Sequence, residues 1–330
     1  MSNSNLSGVY KVLIIGAGPI GIACALACKK KGLSYKVIEK GALTNSIYNY
    51  PLNMTFFSTS EKLEIDDIPF ISNNPKPTRN EALEYYRRVA TSNELDINLY
   101  EKIVSVEKVD NIFELVSEKN NYKAENVIIS TGFYDIPQLL DVPGENLEKV
   151  EHYYKEAHPF VMQKVIVVGA SNSSVDAALE VWRKGGQVTM VIRGAEIGER
   201  VKYWVKPDIE NRIKEGSIKA YFNSEIKEIR ENEVVINTPK GEETLPNDFV
   251  IALTGYRPNF EFLEKLGVHL SEDGKKLPSY DPETMETNIS GLYLAGVICG
   301  GMETHKWFIE NSRIHADIIV DHIQNLKNSI

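Results

Sequence analysis

One local pattern occurs twice in this chain, and it restricts the possible folds more than any other feature. The first copy is a β-branched run, Lys11-Val-Leu-Ile-Ile15, then a turn of small residues, Gly16-Ala-Gly-Pro-Ile-Gly21, then an alanine-rich segment reaching Lys31. The second is Lys164-Val-Ile-Val-Val168, then Gly169-Ala-Ser-Asn-Ser-Ser174, then a helical pattern reaching Lys184. Each copy is followed by a further strand-like run, Tyr35–Ile38 and Val188–Ile192. A strand, a tight turn and a helix leading to a second strand form the opening of a Rossmann-type α/β domain. Two such openings about 150 residues apart in a chain of 330 predict two domains of ordinary size.

Between the copies, Ile103–Val109, Ile112–Ser117 and Val127–Ile129 read as strands. After the second copy, Ile218–Phe222, Val234–Asn237 and Phe249–Leu253 do so. The stretch from Phe133 to Gln163 carries Pro137, Pro143 and Pro159 with little periodicity, which suits a crossover. A long helical pattern runs from about Glu303 to Leu326. The net charge of −9 argues against a nucleic-acid partner or an anionic membrane surface. Residues 1–10 show no cationic leader, and the apolar stretch Val12–Cys28 is interrupted by three glycines and a proline, which a membrane span would not be. Three cysteines without a CxxC pair give no disulfide framework, so a cytoplasmic location is expected.

The first turn has the spacing of a dinucleotide-binding fingerprint. Gly16 permits the sharp turn, Gly18 lets a pyrophosphate approach the backbone, and Gly21 lets the helix lie close to the strand. Pro19 and Ile20 complete the turn, and the helix N-terminus offers free N–H groups to phosphate. Glu39 stands 18 residues after Gly21, where a carboxylate reaches a ribose hydroxyl, with Lys40 beside it. The second turn is degenerate: Ser171 and Ser174 replace glycines, with Asn172 and Ser173 between them. Small hydroxyl residues still allow close approach and can donate to phosphate. The strand after it ends in Arg193 rather than an acid. A guanidinium grips a 2′-phosphate that a carboxylate would repel, so NADPH is expected there; the alternative is a solvated surface charge. Lys202 is a second candidate for that phosphate.

The order of Gly16–Gly21 with Glu39, Ile129-Ser-Thr-Gly132, Gly169–Ser174, Thr254-Gly-Tyr-Arg-Pro-Asn259 and Leu292-Tyr-Leu-Ala-Gly296 resembles the thioredoxin-reductase-like flavoproteins over nearly the whole chain. The resemblance implies FAD and NADPH as cofactors and two Rossmann-like domains. A discontinuous FAD domain (1–135 and 256–330) would hold an inserted NADPH domain (145–255), with 136–144 as linker. Thr131, Gly132, Gly296 and Val297 would join the FAD site. The segments Met54–Ser60, His152–Pro159, Gly198–Trp204 and Phe308–Asn311 look more narrowly like the YpdA family of bacillithiol-disulfide (bacilliredoxin) reductases. That resemblance implies hydride transfer from NADPH to flavin and then electrons to a low-molecular-weight thiol disulfide, in a homo-oligomer. Two departures bear on it. No CxxC lies in the second domain, and Ile20 stands where family members from Gram-positive bacteria carry a cysteine. Val297 likewise replaces the acid that the wider flavoprotein pattern places after the last Ala-Gly, as a feature shared with the YpdA group.

Cys24 and Cys28, one helical turn apart, read as packing residues. Cys299 either packs beneath the last helix or faces the flavin as a redox thiol. His152, His158 and His305 lack metal-ligand spacing, and His152 and His158 order the crossover or line the NADPH channel. Phe56 and Phe57 are core or a flank of the flavin. A helix starting near Glu303 would aim its N–H groups at the flavin. Two other acceptor classes stay open: a redox protein, as in ferredoxin–NADP reductases, and oxygen, as in flavin monooxygenases, although no complete FxGxxxHxxxW fingerprint is present. A non-enzymatic flavin sensor is the remaining class. Replacing Gly18 by Val is expected to abolish the flavin absorbance of the purified protein, because the side chain takes the pyrophosphate's place. A folded variant that stays fully yellow refutes the site.

Overall fold

The computed structural model describes residues 8–328, which fold as two compact units. One contains the chain up to Asn49, Met54–Ile136 and everything from Arg257; the other contains Tyr50–Asn53 and Pro137–Tyr256. Fold class follows the sequence expectation: both units are built on parallel sheets with the two glycine-turn openings at their centres.

In the first unit the sheet runs Ile97–Asn98, Tyr35–Ile38, Val9–Ile15, Asn121–Ile129, Ile112–Ser117, Ile103–Val109, and Leu292–Leu294 also pairs with Asn121–Ile129. The strand Asn121–Ile129 changes partners along its length. Its first half pairs antiparallel with Ile112–Ser117, and its last three residues pair in parallel with Leu292–Leu294. Val12–Ile14, Val127–Ile129 and Leu292–Leu294 are all buried, as expected for strands covered on both faces. The helix Pro19–Lys30 is buried continuously from Ile20 to Cys28. A helix apolar all round must be enclosed, and this one packs against the last helix, His315–Asn328.

The second unit carries a five-stranded parallel sheet ordered Lys219–Tyr221, Gln187–Val191, Lys164–Val168, Phe249–Ala252, Val150–Glu151. A three-stranded antiparallel sheet of Glu225–Ile229, Glu233–Thr238 and Gly241–Pro246 accompanies it. The helix Asn172–Arg183 is amphipathic and lays Val175, Ala178 and Leu179 into the core with Val165, Met190 and Ile251. Among the described residues no helix is long and apolar enough to cross a membrane.

The helical pattern expected from Glu303 to Leu326 forms in part, and not at its start. Met302 donates its N–H to Lys275 O (2.8 Å), and Phe308 is extended, its N–H accepted by the Asn311 side chain at 2.6 Å. Helix forms at Ile309–Ser312 and again at His315–Asn328; before it the Glu303 and Lys306 N–H groups close short turns onto Gly300 O and Glu303 O, and the Asn311 side chain caps the start of the first helix through the Phe308 N–H.

The first turn shows why its glycines are not interchangeable. Gly16 has φ of 108°, a left-handed conformation, and a Cβ there would stand 2.7 Å from Ser130 O. A Cβ on Gly21 would meet Gly16 O at 1.9 Å, whereas one on Gly18 would meet nothing within 4 Å. Gly21→Ala is therefore expected to cost about 2–3 kcal/mol of folding stability, and Gly18→Ala less than about 1 kcal/mol. Urea unfolding of the two variants checks this, and equal midpoints refute it.

Candidate functional site

The dinucleotide turn of the first unit is held by one buried acid. Glu39 follows the strand Tyr35–Ile38 and is 7% exposed. Its Oε2 accepts the Ala17 N–H and its Oε1 the Gly41 N–H, both at 2.8 Å. Burial pushes its carboxyl upward, and the two backbone donors oppose that shift. Ser130 closes the other side, its hydroxyl within reach of Ile15 O (3.1 Å) and Gly16 O (3.0 Å). The helix then starts at Pro19 with Gly18 as N-cap and no side-chain cap, so its first N–H groups face the open space over Gly18. Pro19 at the first helical position gives up no needed donor, and Ile20 is buried, its side chain 3.3 Å from where a Cβ on Gly296 would lie.

Other first-unit candidates flank this turn. Lys40 is exposed and pairs with Asp135 at 2.7 Å, a partner that sequence spacing gave no reason to expect. The Thr131 Oγ1 is buried with no hydrogen-bond partner among the described residues, and Gly132 has open space beside it. An orphaned hydroxyl at the end of a central strand, an uncapped helix and an open glycine turn fit a polar ligand running along the strand ends. Gly296 (φ 87°) donates its N–H to Nδ1 of the buried His315 at 3.1 Å, and Val297 opens the short 3-10 turn that follows. The Trp307 ring packs edge-on against His315, and burial lowers the His315 pKa to about 4. The neutral ring therefore accepts the glycine donor throughout the neutral range. His315 carries no motif, so sequence reasoning passed over it.

The cysteines have no access to solvent. Cys24, Cys28 and Cys299 are free thiols, none more than 1% exposed. Burial raises all three thiol pKa values, that of Cys24 to about 12. Cys299 Sγ lies 4.0 Å from His315 Nδ1, but a raised thiol and a lowered imidazole favour the neutral pair over a thiolate. Phe56 is buried and Phe57 is 47% exposed.

In the second unit, the helix Asn172–Arg183 also starts without a side-chain cap, at Ser171. Gly169 makes the turn, and a Cβ there would press on Leu253 O at 2.7 Å. Ser174 is fully buried and donates its hydroxyl to Ser171 O at 2.9 Å, which commits that group within the turn. Ser171 and Ser173 are exposed. Asn172 donates to Arg200 O (3.0 Å) and accepts from the Lys202 N–H (2.9 Å), lacing the loop 198–202 to the helix start. The Lys202 ammonium pairs with Asp176, on this helix, at 2.7 Å. Arg193 is exposed, makes no ion pair among the described residues, and lines an open cavity of about 190 Å³ with Asn223, Ser224, Glu225 and Thr238. The backbone around it is fixed: Asn223 donates to Gly194 O at 2.8 Å and Ser224 to Ile192 O at 3.0 Å. His152, in the crossover, lies 3.5 Å from Glu145, and its backbone oxygen accepts the Tyr256 hydroxyl at 2.9 Å.

Comparison with known proteins gives these features a family. A pyridine nucleotide-disulphide oxidoreductase family profile matches residues 13–296. The bacilliredoxin reductase Bdr of Bacillus subtilis (strain 168) is 45% identical over 96% of this chain and 98% of its own length. The solved structure of the bacillithiol disulfide reductase Bdr (YpdA) from Bacillus cereus superposes with a TM-score of 0.94, at 42% identity over 96% of this chain and 99% of that one. Thioredoxin reductase from T. acidophilum shares the fold at 19% identity, with a TM-score of 0.75 over 98% and 100% of the two chains. With the resemblance read from its motifs thus established, the chain is an oxidoreductase that belongs to the pyridine nucleotide-disulphide oxidoreductase family and, within it, to the Bdr (YpdA) reductases.

Proposed function

We propose that this protein uses NADPH and FAD to reduce a low-molecular-weight thiol disulfide of the bacillithiol type. The reading of two dinucleotides is carried by the pairing of two uncapped helix N-termini at small-residue turns, one followed by a buried acid and the other by an arginine without an ion pair among the described residues. That of a disulfide acceptor is carried by the 45% identity to bacilliredoxin reductase Bdr. In the first unit, Glu39 would hold the FAD ribose through the lone pairs its two backbone donors leave free, while Ala17–Ile20 and the helix start receive the pyrophosphate. In the second, Ser171–Ser173 would receive the NADPH pyrophosphate and Arg193 its 2′-phosphate. When bound, the flavin supplies two-electron chemistry between the nicotinamide and a disulfide, with the balance NADPH + H⁺ + RSSR → NADP⁺ + 2 RSH.

The chain's own cysteines are left out of this balance. A redox relay needs accessible thiols of ordinary or lowered pKa, and all three are sealed and raised. The acceptor would thus be reduced without a protein dithiol. A cytoplasmic location and action as a homo-oligomer are proposed with this role.

Two outcomes are expected. With purified protein, NADPH oxidation is faster with bacillithiol disulfide than with ferredoxin, flavodoxin or oxygen alone, and it persists in a Cys24→Ala/Cys28→Ala/Cys299→Ser variant with unchanged flavin content. A preference for a protein acceptor or for oxygen, or loss of acceptor reduction in that variant, rejects the reading. Arg193→Ala is expected to lower the preference for NADPH over NADH by about one to two decades, the loss of one charge-assisted phosphate contact worth about 1.5–3 kcal/mol. An unchanged coenzyme ratio makes Arg193 a surface charge.

A further inference from the structure

Glu101 is the most completely buried carboxylate described, 2% exposed, and it has no ion-pair partner among the described residues. It is surrounded by neutral donors. Asn98 Nδ2 reaches its Oε2 at 3.0 Å; the Tyr122 hydroxyl and Asn120 Nδ2 reach its Oε1 at 2.8 and 3.1 Å, and Ser117 donates to the same oxygen. Those donors come from three places in the sequence: the end of the strand Ile97–Asn98, the turn after Ile112–Ser117, and the strand Asn121–Ile129. Three donors converge on Oε1 and one on Oε2; a carboxylate, which only accepts, can face donors with both oxygens, whereas an amide would turn its own NH₂ donor toward one of these sides. Burial alone would push the carboxyl up, but the four side-chain donors outweigh it and hold the group down at about 2.

The backbone around this node faces Glu39. Asn98 O accepts the Glu39 N–H at 2.9 Å, the Glu101 N–H donates to Glu39 O at 2.8 Å, and the Tyr100 N–H donates to Gly41 O at 3.1 Å. Residues 39–41 are thus bound on both sides by residues 98–101, whose own geometry closes on the Glu101 carboxylate. Glu39 and Gly41 in turn hold the first glycine turn through the Glu39 carboxylate.

We propose that Glu101 is a positioning residue for the FAD site, its carboxylate fixing residues 98–101 so that Glu39 is held at the height and angle the ribose requires. The inference rests on the FAD reading of the first unit. Glu101 touches no part of the site itself; it acts through Glu39.

A double-mutant cycle on the holoenzyme tests this, with FAD release on dilution followed by flavin fluorescence. Glu101→Gln is expected to weaken FAD about tenfold in the wild-type background but less than about twofold in a Glu39→Gln background, because a residue acting through Glu39 has nothing left to position. Equal losses in both backgrounds would mark a general structural role and overturn the proposal, as would unchanged FAD affinity. Should Glu101→Gln fail to fold, Tyr122→Phe removes one donor from the node and is expected to give about threefold and less than about 1.5-fold in the same two backgrounds. A wild-type protein that purifies without flavin and takes up none would instead overturn the FAD reading, a result distinct from every outcome of the cycle.

Discussion

The Glu39 carboxylate is the contact on which the first unit's site depends. It is nearly buried, so it pays a desolvation cost that only well-placed donors offset, and both donors are backbone N–H groups of the turns it must organise. Ala17 belongs to the glycine turn and Gly41 to the segment after the second strand. One side chain therefore ties the two loops between which, on the proposed reading, a dinucleotide would lie. Ser130 restrains the opposite side of the same turn, and the uncapped helix start is left facing the open space above Gly18. The site is polar where the backbone is free and rigid where it is not.

Much of this was legible in the sequence because it is local. A turn needing Gly16 and Gly21, with Gly18 left open for a ligand and an acid 18 residues later, is set by backbone geometry within about 30 residues, and so the motif carries its own structure. The antiparallel runs Ile103–Val109 and Ile112–Ser117 were equally readable from their β-branched content. What could not be read is set by contacts distant in sequence. Asp135 reaches Lys40, Asp176 reaches Lys202, and Glu101 collects donors up to 21 residues away; none of these pairs has a fixed spacing. The helix expected from Glu303 begins later for a similar reason: its periodicity is helical, but the Met302 N–H is drawn to Lys275 O, distant in sequence, and the helix starts only at Ile309, where Asn311 caps Phe308. His315 was invisible because its partner is the N–H of Gly296, and a backbone group leaves no signature in the sequence.

The two turns solve the same problem by different means. In the first, an external acid pins the loop and Gly21 leaves the helix against the strand with no room for a methyl group. In the second, Ser174 occupies the third glycine's position and restrains its own turn by donating to Ser171 O, while Asn172 ties in the loop 198–202. The charged residue after the second strand differs accordingly: Glu39 is buried and doubly bonded, whereas Arg193 is exposed beside an open cavity.

That contrast matches the division of labour between a resident cofactor and an exchanging one. A ligand that stays bound through many turnovers gains from a site whose polar groups are already fixed, since the ordering cost is met in folding rather than in binding. A ligand that must leave after each reduction gains from an anchor that is strong but solvated, because an exposed guanidinium loses little on release. Glu39, braced through residues 98–101 by the Glu101 node, has the first character, and Arg193, free among the polar groups of its cavity, has the second. Exchanging those characters, with a solvated acid in the first unit or a buried arginine in the second, would weaken FAD retention in one case and slow NADP⁺ release in the other. On the proposed reading, the placement of each charge relative to solvent, as well as its sign, would match FAD to the first unit and NADPH to the second.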